Sequence, residues 1–120
     1  MKRLKNLLLI LMIVALFAGC AKNNPVTEIA PVADISSVEV IDITDSGATV
    51  TWVTNEPANS NIEYGHDTNY YAGVFNSKYV TSHRIVLYGL TGTTTYHFEL
   101  RGATVDGDLL LDTDRTFMTN

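Results

Sequence analysis

GATVTWVTNEPANSNIEYG, Gly47 to Gly65, is the stretch on which the fold class turns. Side chains alternate across a strand, so Ala48, Val50, Trp52 and Thr54 take one face, and Thr49, Thr51 and Val53 take the other. The face carrying Trp52 is expected to be the core face, because one buried indole contributes a large apolar area. NEPANS, around Pro57, reads as a loop. Ser60 to Gly65 reads as a further short strand, with Ile62 and Tyr64 inward and Glu63 toward water.

The flanking sequence repeats the pattern. SVEVIDITD supplies a strand from about Ser37 to Thr44, closed by Asp45-Ser46-Gly47. HRIVLYGL, His83 to Leu90, places His83, Ile85 and Leu87 on one face and Arg84, Val86 and Tyr88 on the other. TYHFELRG, Thr95 to Gly102, alternates most cleanly, with Tyr96, Phe98 and Leu100 inward and His97, Glu99 and Arg101 outward. Asp106-Gly107 is a hairpin signal that returns the chain through Leu109 to Leu111 and on to Phe117. The region from Asn69 to Val80 is assigned an edge strand near Tyr71 to Phe75 and a mobile loop. Helical periodicity is absent and short β-branched runs recur between turn signals, which predicts an all-β, antiparallel domain of seven strands.

GATVTWVTNEPANSNIEYG followed by HRIVLYGLTGTTTYHFELRG resembles a bacterial fibronectin type III domain, and the likeness covers nearly all of Ile35 to Asn120. That family has a Trp in its second strand, a Tyr in its third, and a Leu-x-Pro-x-Thr-x-Tyr corner leading into its sixth. Trp52 and Tyr64 match the first two, and Leu90, Thr94 and Tyr96 match the corner, with Gly92 standing where Pro is usual. The resemblance implies an immunoglobulin-like β-sandwich in which the Tyr96 hydroxyl bonds backbone a few residues upstream, near Leu90. It implies little about function, since one sandwich architecture carries many roles.

The N-terminus has a different character. Lys2, Arg3 and Lys5 precede an uninterrupted apolar run from Leu7 to Ala18, and small residues follow. This is the layout of a secretory signal peptide, and the run falls short of the about 20 residues that span a bilayer core. Phe17-Ala18-Gly19-Cys20 resembles the lipobox of bacterial lipoproteins, with Phe17 where Leu is usual. The resemblance implies that Cys20, the only cysteine, receives a diacylglyceryl group and becomes the acylated first residue, palmitate being a typical chain. A lone thiol in an oxidising compartment is otherwise a liability, and stable anchoring takes more than one acyl chain. The expected organisation is a signal peptide over residues 1–19, a lipid-anchored tether over residues 20–33 and the β domain over residues 34–120. Ala21 after the cysteine favours the outer membrane where a host has two. A flexible tether of that length spans roughly 20 Å.

Charge narrows the partners. The chain carries a formal −5, and removing residues 1–19 takes away Lys2, Arg3 and Lys5 and none of the thirteen acidic groups, which moves the balance to −8. The basic residues that remain are scattered, so nucleic acid, whose binding draws on clustered Lys and Arg, is not an expected partner. An acidic surface favours a soluble monomer.

No catalytic constellation emerges. His97 points outward as a surface residue, His83 heads its strand as an inward rim residue bonded to backbone, and His66 sits with Asp67 in a turn. Asp106-Gly107-Asp108 is explained by hairpin chemistry, and no metal-ligand spacing, serine elbow or phosphate loop occurs. The resemblance extends to the small β domain that precedes the catalytic domain of purple acid phosphatases. Their metal-binding blocks are missing from these 120 residues, so neither activity, metal nor cofactor is expected.

Recognition or spacing remains. NYYAGVFNSKYV, Asn69 to Val80, carries Tyr70, Tyr71, Phe75 and Tyr79 within ten residues, a candidate surface for a protein or carbohydrate partner. Strand addition at a free sheet edge is a second route. The expected role is a non-catalytic envelope module acting in interaction or as a spacer. The alternative is an accessory or substrate-binding domain of a separately encoded extracellular hydrolase.

Overall fold

The computed structural model describes residues 32–120. The signal segment and all but the end of the tether, Cys20 included, lie outside the described residues. Five antiparallel strands follow in order: β1 Ile35–Ile41, β2 Gly47–Gly65, β3 Ala72–Tyr88, β4 Thr95–Ala103 and β5 Leu109–Met118. No helix occurs among the described residues.

Two of these strands change partners along their length. The first half of β2 pairs with β1, from Ile41↔Thr49 to Ile35↔Thr54, and with the end of β3, from Gly47↔Tyr88 to Val53↔Ser82. Its second half pairs with the start of β3, from Ser60↔Asn76 to Tyr64↔Ala72, and with β4, from Asn61↔Arg101 to Gly65↔His97. β5 completes this half by pairing with β4.

The changeover corrects two expectations. NEPANS is not a loop: the strand continues through it while the register slips between Val53 and Ala58 and again before Ser60. Pro57 has no N–H to give a ladder, and it falls where the ladder is interrupted. Thr54 Oγ1 instead donates to the Glu56 carbonyl at 2.8 Å. The expected mobile loop before Val80 is likewise strand, with the Lys78 N–H donated to Asn76 Oδ1 at 2.9 Å. The seven short strands expected from sequence are therefore five continuous ones, and β1 begins and ends earlier than the sequence suggested.

The inward faces meet in one apolar core. Val50, Trp52, Ile62, Leu87, Tyr96, Phe98 and Leu100 are its largest fully buried side chains. Leu90 and Phe117 are buried with them, and Tyr64 packs against the cluster half-buried. The Tyr96 ring stacks on Phe117 at 5.7 Å, and its hydroxyl accepts a hydrogen bond from the Thr91 N–H at 2.8 Å. The corner before β4 is drawn tight by the C-terminus. Thr93 N–H donates to the Asn120 carbonyl and Thr119 Oγ1 to the Thr91 carbonyl, at 2.9 and 2.6 Å. A Cβ at Gly92 would lie 3.0 Å from the Asn120 carbonyl oxygen and 3.3 Å from Asp45 Cβ, so glycine suits this close approach.

His83 differs from its expected place on the rim. It is 2 % exposed, with Nε2 2.9 Å from Thr54 Oγ1 and Nδ1 2.6 Å from Ser60 Oγ. The bend of β2 brings both hydroxyls to it. Burial pushes its pKa below the ordinary imidazole value, and a hydrogen bond with the Val80 backbone only partly opposes the shift.

Candidate interaction surface

Alternation sends every second residue of the β3–β2–β4–β5 half away from the core. Phe75 pairs with Asn61, Asn61 with Arg101, and Arg101 with Leu111, so these four form a row across four strands. Their chain neighbours Val74, Ile62, Leu100 and Leu110 belong to the half-buried or buried side, which puts the row on the outer face. Phe75 and Leu111 are each 60 % exposed, and Leu109, one position further along the same side of β5, is 82 % exposed. Arg101, Gly102 and Leu109 to Leu111 line a shallow, mainly apolar groove of about 250 Å³.

The middle of this face is charged but internally paired. Glu99 points outward as its alternation requires, yet it is only 5 % exposed, because Arg101 bonds to its carboxylate through the guanidinium. Asp114, at a positive φ of 43° in β5, accepts from His97 Nδ1 at 2.8 Å. Tyr70 joins them. Its phenol pKa is raised, first by burial and then by the negative charges of Asp114 and Glu99. His97 is thus half-buried and partnered, whereas it was expected to be solvated.

The four aromatic residues of the Asn69–Val80 stretch do not make a single platform. Tyr70 adopts a φ of 48°, which turns the chain between it and its neighbour. Tyr71 is 64 % exposed, beside Tyr64 with centroids 6.5 Å apart and edge-on to His66 at 5.4 Å. Phe75 stands in the outer row, and Tyr79 is exposed near the changeover. Among the described residues no ring contact joins any two of the four. Leu109, Leu111, Glu99 and Asp114 complete the face, and the first two had a legible signal: in the run Leu109-Leu110-Leu111 one inward leucine leaves two outside.

The other sequence candidates are structural in their surroundings. Asp67 Oδ1 accepts the Asn69 N–H at 2.9 Å in a turn, and Thr104 Oγ1 accepts the Asp108 N–H at 3.0 Å in the β4–β5 hairpin, where Gly107 has a φ of 94°. Among the described residues no three His, Cys, Asp or Glu side chains stand close enough to share a metal ion.

No family model matches the chain, and no curated protein matches its sequence. Solved structures do resemble it. One described as a myokine structure is 18 % identical, covers 75 % of this chain and 98 % of its own, and superposes with a TM-score of 0.62. The third fibronectin III domain of the human KIAA0343 protein is 16 % identical, covers 82 % of this chain and 91 % of its own, and has a TM-score of 0.54. At such identities the likeness is one of fold. The described residues have a fibronectin type III-like, immunoglobulin-like β-sandwich fold.

Proposed function

We propose that this is a non-catalytic, lipid-anchored protein of a bacterial cell envelope, whose fibronectin type III domain is a surface interaction or spacer module. Counted by partner instead of by continuity, β2 and β3 each serve as two strands, and the domain then reads as the seven-stranded sandwich of that family. Residues 1–19 direct export, acylated Cys20 holds the membrane, and the tether keeps the domain clear of the headgroups, on the outer membrane where the host has two.

The observation that favours interaction over spacing is the outer row Phe75–Asn61–Arg101–Leu111 with Leu109 beside it. Large apolar side chains left in water around an arginine have the composition of a protein-binding patch. A photoactivatable residue replacing Leu111 tests the reading in intact cells. It is expected to crosslink to a discrete envelope protein, whereas the same residue replacing exposed Asp45 is not. Identical adducts from both positions, or none from Leu111, contradict an interaction role for this face.

A further inference from the structure

The β1–β2–β3 half of the domain has its own outer face, and a groove of about 310 Å³ lies on it. Gly47 pairs with Tyr88 and Thr49 with Val86. Tyr88, at the end of β3, is 77 % exposed and forms one wall. Asp42 and Thr44, just after β1, supply the opposite wall.

The floor is Thr49, which is 3 % exposed. Its hydroxyl makes no hydrogen bond among the described residues. The other buried threonines among the described residues are all satisfied: Thr54 donates to the Glu56 carbonyl, Thr104 accepts from the Asp108 N–H, and Thr119 donates to the Thr91 carbonyl. A buried hydroxyl without a partner is uncommon enough to call for a reason, and this one lines an open groove.

We propose that the groove binds a neutral hydroxylated ring, namely one pyranose unit of a glycan. A pyranose offers an apolar C–H face that lies on the Tyr88 ring and a rim of hydroxyls that both donate and accept. One rim hydroxyl reaches Thr49 Oγ1. Another donates to the Asp42 carboxylate, which Arg84 holds only loosely at 3.8 Å. Size agrees with one ring, since ligand pockets run from about 300 to 1,000 Å³ and this groove is at the lower end. The acidic balance of the chain disfavours an anionic ligand, and a cation would be better served by a cage of several aromatic faces than by one. The site shares no residue with the Phe75–Leu111 row, so it stands or falls independently of the protein interaction proposed for that face.

Saturation-transfer NMR on the full chain tests it, with the methyl β-glycosides of glucose, galactose, mannose and N-acetylglucosamine as probes. Saturation is expected on the ring C–H protons of at least one glycoside. It is lost in Tyr88→Ala and kept in Tyr88→Phe, because stacking needs the ring and not the hydroxyl. Thr49→Val weakens binding about threefold to tenfold, the contribution of one neutral hydrogen bond, while its melting temperature stays the same or rises. No transfer to any of the four glycosides overturns the proposal, as does binding that is unchanged in either Tyr88→Ala or Thr49→Val.

Discussion

The Trp52 indole and the His83 imidazole lie face to face on directly paired residues, with ring centroids 4.9 Å apart and planes 5° from parallel. Both are 2 % exposed. In this setting the imidazole serves as a flat, neutral ring whose two nitrogens are held by Thr54 and Ser60, and a proton added to it becomes a charge inside the core.

That arrangement fixes the sign of a pH effect. The folded pKa of His83 lies below its ordinary value because burial disfavours the charged form. The unfolded chain therefore binds more protons between the folded pKa and about 6.5, and stability rises with pH through that window. The contribution is fully present above about 6.5 and is lost as the pH falls through the folded value. Melting followed by circular dichroism from pH 7 down to about 5 is expected to show a falling midpoint, with a smaller fall in His83→Gln. A midpoint that rises on acidification contradicts the assignment.

Trp52→Ala is expected to destabilise the domain by about 3–5 kcal/mol, the range for deleting a large buried aromatic. That is a large share of the roughly 5–15 kcal/mol that holds a domain folded. Urea titration measures it, and a loss below about 1 kcal/mol would mean that the indole is not the centre of the core.

The corner before β4 gives a smaller, separate effect. Tyr96→Phe removes the acceptor of the Thr91 N–H while keeping the ring against Phe117. Its expected cost is about 1 kcal/mol, the net worth of one hydrogen bond, read from the denaturation midpoint with an unchanged m-value.

Thr93 lies beside that corner with a φ of 50°, a backbone region where a β-branched residue is an outlier. Such strain costs on the order of 1–3 kcal/mol. Glycine adopts the region freely and loses roughly 0.5–1 kcal/mol more chain entropy on folding. Relief exceeds the entropic penalty, so Thr93→Gly is expected to raise the melting temperature. A lowered midpoint would show that the Thr93 side chain contributes packing beyond its strain.

The outer row is expected to be silent in stability. Leu109→Glu and Leu111→Glu place charge on exposed positions and should shift unfolding by no more than about 0.5 kcal/mol. A loss of several kcal/mol in either would mean that the leucine is packed, not presented.

The inward faces were legible because a strand has a period of two: Val50 and Trp52, Ile85 and Leu87, and Tyr96, Phe98 and Leu100 all lie on the buried side. Continuity was not legible. Pro57, Asn59 and Ser60 mark a loop and a strand changing sheets with the same residue types, and only the pairing partners tell the two apart. Glu99 shows a related limit. Its direction follows from alternation, but its burial depends on Arg101 on the same strand. The Asn69–Val80 aromatics separated because proximity in sequence does not specify a face once a residue such as Tyr70 takes a positive φ. Alternation puts Thr49 on the face away from Trp52, but nothing in the sequence marks its hydroxyl as unsatisfied.

The proposed attachment of the β domain to a membrane through Cys20 is tested most directly by the mass of the mature N-terminal peptide from membrane-purified protein. The predicted result is a chain that begins at Cys20 and carries a sulfur-linked diacylglyceryl group. A chain that begins elsewhere, or a Cys20 with an unmodified thiol, would contradict it.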